Sequence, residues 1–126
     1  MEPKDTQKTV SDIDAQVRKN PWMDFEVTNY DRQMLSVIGN ISPSYPGQPG
    51  QIEINFKDVY FVSLPIAWKT DTSKQVISLV DGPEQFAINK LFRVEQGYLI
   101  FKFMPEDYQE GFGCLIGAKE ISYRVL

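Results

Sequence analysis

The chain has 126 residues, of which 42% are hydrophobic and 24% charged, and 13 Lys and Arg against 17 Asp and Glu leave a formal charge of -4. That length and composition suit one globular domain. With no His and one Cys, the chain by itself cannot form a Ser-His-Asp triad, a Cys-His pair, a His-ligated metal site, an intrachain disulfide or a Cys-rich zinc cluster.

The single thiol fits a reducing compartment. The N-terminal segment MEPKDTQKTVSDIDAQ is polar and lacks the apolar run of a secretory signal. No stretch of about 18 apolar residues is present to cross a membrane as a helix. The expected location is therefore cytoplasmic, away from membranes. A pI of about 4.8, with Arg18-Lys19 as the densest basic pair, argues against nucleic acid, whose phosphates need clustered Lys and Arg. No cofactor is expected.

Residues 1–20 form a polar leader with four basic and four acidic side chains. Within it Val10, Ile13 and Val17 fall at i, i+3 and i+7, a helical stripe. Ser11 and Asp14 resemble a capping box, and Pro21 closes the segment. The spacing predicts a short amphipathic helix over 11–19. From Met23 the period changes to two. Met23, Phe25 and Val27 alternate with Asp24, Glu26 and Thr28, which predicts a half-buried strand. Asn29-Tyr30-Asp31 separates it from a second apolar run over Met34–Ile41. The segment SPSYPGQPG at 42–50 is a Pro- and Gly-rich loop with Tyr45 at its centre.

Ile52, Ile54 and Phe56 then alternate with Glu53, Asn55 and Lys57, and the phase slips around 57–58, which predicts a bulge. Leu64-Pro65 ends this strand. Ile66–Lys69 predicts a short edge strand holding Trp68, and Val76–Val80 another, closed by an Asp81-Gly82-Pro83 turn. Residues 84–95 fit neither period. They allow a helical turn over 84–90 and a strand from Leu91 to Glu95, which would pair with Tyr98–Met104 as a hairpin. Cys114–Ile116, a kink at Gly117-Ala118 and a last strand over Ile121–Leu126 complete the reading. About seven to nine short strands after one helix predict a mainly β fold, with residues 21–126 as a single antiparallel domain. Its form is a small sandwich or a partly closed barrel.

Candidate sites fall into four groups. Glu106, Asp107 and Glu110 put three carboxylates within five positions. That suits a hard cation or paired acid-base chemistry, but the spacing departs from a calcium loop and a solvated acidic loop is the simpler reading. The glycines of GFGCLIG at 111–117 read as turn or bulge residues rather than a phosphate loop, and Cys114 as a small buried hydrophobe. Tyr60, Trp68, Tyr98, Phe101, Phe103 and Phe112 can either line an apolar pocket or fill the core. Trp22, Tyr30, Tyr45 and Tyr108 sit beside Pro, Asp or Gly in turns and loops, where they suit an interaction surface.

Three functions follow as expectations. The foremost is a non-enzymatic interaction module that binds a protein partner or itself, as a homodimer. The second is a barrel for a small apolar ligand. The third is a carboxylate-dependent enzyme or metal site.

Overall fold

The computed structural model describes residues 3–41, 51–109 and 112–126. Tyr45, Glu110 and Gly111 lie outside the described residues. Among the described residues two helices and seven strands run in the order α1 (Pro3–Val17), β1 (Met23–Asp31), β2 (Met34–Asn40), β3 (Ile52–Ser63), β4 (Ala67–Thr70), β5 (Ile77–Leu79), α2 (Gly82–Phe92), β6 (Leu99–Phe103) and β7 (Cys114–Val125). The strands form one sheet in the order β4-β1-β2-β3-β7-β6-β5, with every neighbouring pair antiparallel.

The sheet folds over on itself without closing into a barrel. Strand pairing stops at β4 on one side and β5 on the other. Rings from the two ends nevertheless meet in the interior. Phe103 of β6 lies 5.1 Å from Trp68 of β4 and 5.5 Å from Phe25 of β1, centroid to centroid. Phe56 of β3 packs edge-on against Phe101 and Phe103. Among the described residues one backbone bond ties the margins together, Glu106 N–H to Lys69 O, while Met104 N–H to Val76 O extends the β5–β6 ladder. Each fully buried ring withdraws enough apolar surface to contribute about 1.5–3 kcal/mol.

Helix α1 begins well before the expected 11–19. Thr6 continues the buried stripe of Val10, Ile13 and Val17 one turn toward the N-terminus, and a hydroxyl in that row masks the pattern. Pro3 is tolerated in the first turn, where its missing N–H removes no helical bond. Ser11 is therefore mid-helix and exposed, not a cap. One oxygen of the Asp14 carboxylate accepts the Val76 N–H at 2.7 Å and the Ile77 N–H at 3.4 Å, and the other pairs with Arg18 at 3.6 Å. At the C-terminal end Asn20 donates to the carbonyls of Gln16 and Val17. Val10, Ile13 and Val17 share one core with the inward residues of the sheet.

Strand β1 runs through Asn29–Asp31 and turns at Arg32 and Gln33, both with positive φ, the backbone a two-residue hairpin needs. The expected break at 57–58 appears as Asp58 at φ 56 and a register shift between Val59 and Phe61 in the β3–β7 ladder. Two expectations are corrected here. No strand covers 91–95, so the hairpin with Tyr98–Met104 does not form. Instead Asp81 is the N-cap of α2, with Gly82 at φ 60 and Pro83 in the first turn, and Arg93 closes the helix in the left-handed region. Asp-Gly-Pro starts a helix as readily as it makes a turn. Gly117-Ala118 is no kink either. Strand β7 is continuous, and Gly117 is bare because the Phe61 ring from β3 lies over it.

Successive residues of a strand face opposite sides, so β6 and β7 serve two cores. Phe101, Phe103, Cys114 and Ile116 point into the folded sheet. Ile100 and Leu115 point outward and join Val80 under α2, whose Ile88 and Phe92 cover them. Phe61 stacks on Phe92 at 4.2 Å with 14° between the rings, so the ring that covers Gly117 also seats the helix.

Two stability outcomes follow. A Cβ at Gly117 would come 2.5 Å from the Phe61 ring, so Gly117→Ala is expected to cost about 1–3 kcal/mol by displacing Phe61 and loosening α2; urea unfolding measures it. Asp14→Ala leaves two strand N–H groups without their charged acceptor and is expected to cost about 1.5–3 kcal/mol. Exposed Asp5→Ala is its control, with a change within about 0.5 kcal/mol.

Candidate functional site

Helix α2 carries apolar residues on both faces. Inward it buries Ile88 and packs Phe92 on the second core. Outward, Pro83, Ala87 and Leu91 recur at i, i+4 and i+8 and form an exposed row, as residues four apart on a helix must. Phe86 stands beside this row. Leu91 is 76% exposed, the largest value among the described large hydrophobic residues, and Phe86 70%, matched by Ile66 outside the helix. Lys90 extends over the Phe86 ring, its ammonium 5.8 Å from the centroid. Glu84 in the first turn pairs with Lys102 of β6 at 2.8 Å. A helix that is apolar all round ordinarily lies inside a core. Here the second face has no cover among the described residues.

Of the aromatic residues expected at an interaction surface, the described ones, Trp22, Tyr30 and Tyr108, are exposed but scattered. Trp22 and Tyr30 lie at opposite ends of β1, roughly 25 Å apart at the rise of a strand. Tyr108 follows β6 and stacks on Phe112 at 4.5 Å. The residues expected to line a pocket divide among three places. Trp68, Phe101 and Phe103 are buried against one another and against Phe25 and Phe56. Tyr60 and Tyr98 pack together at the surface at 4.9 Å, with Lys119 over Tyr98 and the Tyr60 hydroxyl donating to Arg93 O. Phe112 stays with Tyr108.

Glu106 and Asp107 line a cleft of about 540 Å³ between the 104–108 loop and the 71–75 turn. Asp71, Lys74, Gln75, Met104, Pro105 and Tyr108 complete its walls. The Ser73 hydroxyl, and after it the Ser73 N–H, holds the Asp71 carboxyl below the usual carboxylate range. That carboxylate is occupied in shaping its own turn. Among the described residues no three Asp, Glu or Cys side chains come together as a metal-binding group. Behind this margin, Trp68 Nε1 and Thr70 Oγ are buried without a protein partner.

Phe86 and Leu91 escape sequence reasoning because 84–95 matches neither period. The signal was present all the same. Ile88 and Phe92 mark one helical row, and Pro83, Ala87 and Leu91 mark a second on the far side of the same helix.

Burial pushes the Cys114 thiol up to about 12. The folded chain keeps that proton where an unfolded thiol, ordinarily near about 8.5, has lost it. Unfolding then releases a proton, so stability falls as pH rises between those two values, by at most about 1.4 kcal/mol per pH unit. Cys114→Ala is expected to remove this component from a denaturation series across that range. The native wild-type thiol is expected to resist thiol reagents until the chain unfolds.

Comparison with family models, with curated protein sequences and with solved structures found no match to this chain. Among the described residues no helix is long and apolar enough to cross a membrane.

Proposed function

We propose that this chain is a protein-interaction module that docks through the outward face of α2 and works by contact rather than by bond-making. The observation that carries this reading is the pair Phe86 and Leu91, held in water on a helix whose opposite face is already satisfied. Covering each such side chain is worth about 1.5–3 kcal/mol. Phe61, Phe92 and the Gly117 contact fix the helix from beneath, so little ordering cost remains to be met on binding. Large apolar side chains on a rigid element, with Lys90 and Glu84 beside them, have the form of a contact centre with a polar rim.

The test is site-specific photo-cross-linking from position 87 in lysate of the source cells. Adducts are expected from the wild type and are lost in Phe86→Glu/Leu91→Glu. Both substituted side chains are exposed, so the variant should keep wild-type stability within about 1 kcal/mol. Adducts that persist in the folded double variant, or no adduct from the wild type, would overturn the assignment.

A further inference from the structure

We infer that the occupant of this face is an acidic segment of another protein, one that intersperses carboxylates with large apolar side chains. The inference rests on the interaction reading above and adds the chemistry of the partner. The argument is charge complementarity. The whole chain carries a formal charge of -4, yet the C-terminal end of α2 and its surroundings are basic. Lys90 lies in the last turn of the helix and Arg93 is its C-cap. A run of contacts joins them to Lys119 of β7. The Lys119 ammonium lies 5.1 Å from the centre of the Tyr98 ring, Tyr98 packs on Tyr60 at 4.9 Å, and the Tyr60 hydroxyl donates to Arg93 O at 2.7 Å. The exposed face of α2 therefore continues into an aromatic pair and a third cation.

The fold does not neutralise these cations. Among the described residues none of Lys90, Arg93 and Lys119 forms an ion pair. The nearby carboxylates are engaged elsewhere. Glu84 pairs with Lys102 at 2.8 Å, and Glu120, next to Lys119 in the chain, pairs with Lys57 at 3.9 Å. Asp81 caps the opposite end of α2. Glu95 alone stands against them in the stretch 90–98. Two of the cations lie over rings, Lys90 over Phe86 and Lys119 over Tyr98. A ring contact holds an ammonium against apolar surface while its other side stays open to a ligand. A segment laid along this face thus meets Phe86 and Leu91 with its apolar side chains and the three cations with its carboxylates.

Other anionic surfaces suit the face less well. An anionic bilayer is ordinarily held by about four to eight clustered Lys and Arg, and the net charge of the chain opposes its approach. Nucleic acid needs a denser basic stripe still. A peptide needs only a few matched charges around an apolar centre.

Two short synthetic peptides with the same Leu and Phe positions, one carrying Glu at every polar position and the other Lys, test the inference by fluorescence anisotropy with the full chain. The Glu peptide is expected to bind with a dissociation constant of about 10–100 μM, and the Lys peptide at least about tenfold more weakly. Added salt should weaken the Glu peptide. Lys90→Glu, Arg93→Glu and Lys119→Glu should each cost it about threefold to tenfold, and the triple variant should prefer the Lys peptide. Equal binding of the two peptides to the wild type overturns the inference. So does a preference indifferent to charge reversal in folded variants. Binding to phosphatidylserine vesicles without binding to the Glu peptide overturns it in favour of a membrane. Position-87 adducts that form while neither peptide binds, or that map to segments richer in Lys and Arg than in Asp and Glu, remove the acidic partner and leave the interaction function intact. Absence of adducts removes the face as a docking site, and this inference with it.

Discussion

The meeting of Phe103 with Phe25 and Trp68 is the contact on which the architecture depends. These rings belong to strands near opposite ends of a single sheet. A flat seven-stranded sheet would leave them far apart, with both faces wet. Their association turns the sheet over and creates one enclosed side. Among the described residues a single backbone bond joins the two margins, so the apolar interior rather than a continuous ladder holds the ends together. Phe56 and Phe101 extend the cluster along the middle strands. The N-terminal helix adds its own aliphatic row to the same interior.

Once the interior is enclosed, strand alternation forces a second apolar surface elsewhere. Ile100 and Leu115 must point away from Phe101 and Ile116, and with Val80 they form a hydrophobic floor on the outer side. Helix α2 covers that floor, and Phe61 reaches over Gly117 to stack beneath it. The helix is thus an outer layer with only one neighbour. Its remaining apolar residues have nowhere to go within the described fold. This exposed apolar face is a consequence of how the sheet divides its side chains, and it is distinct from the 71–75 cleft with its charged rim.

Much of the fold was legible because single-sided burial leaves a plain rhythm. Ile52, Ile54 and Phe56 mark β3, and Val10, Ile13 and Val17 mark α1. The failures have physical causes. Thr6 is buried while counting as polar, so the first turns of α1 look like solvated chain. Residues 84–95 carry two rows on one helix, which blurs both periods. Gly117 reads as a kink because its reason for being glycine lies in Phe61, more than fifty positions earlier. The scatter of the aromatic candidates has a similar origin. Trp68, Phe101 and Phe103 are far apart in the chain and one cluster in space. Trp22 just precedes β1 and Tyr30 lies near its far end, so the strand's length separates them.

The bond from Asp14 to the start of β5 has a wider meaning. Strand β5 is the terminal strand of the sheet, and an uncovered terminal strand is a template on which another chain can add its own backbone. Laying α1 alongside and occupying the Val76 and Ile77 N–H groups leaves an incoming chain no free donors at the start of that strand. The N-terminal helix thus shields one margin of the sheet as well as filling its interior.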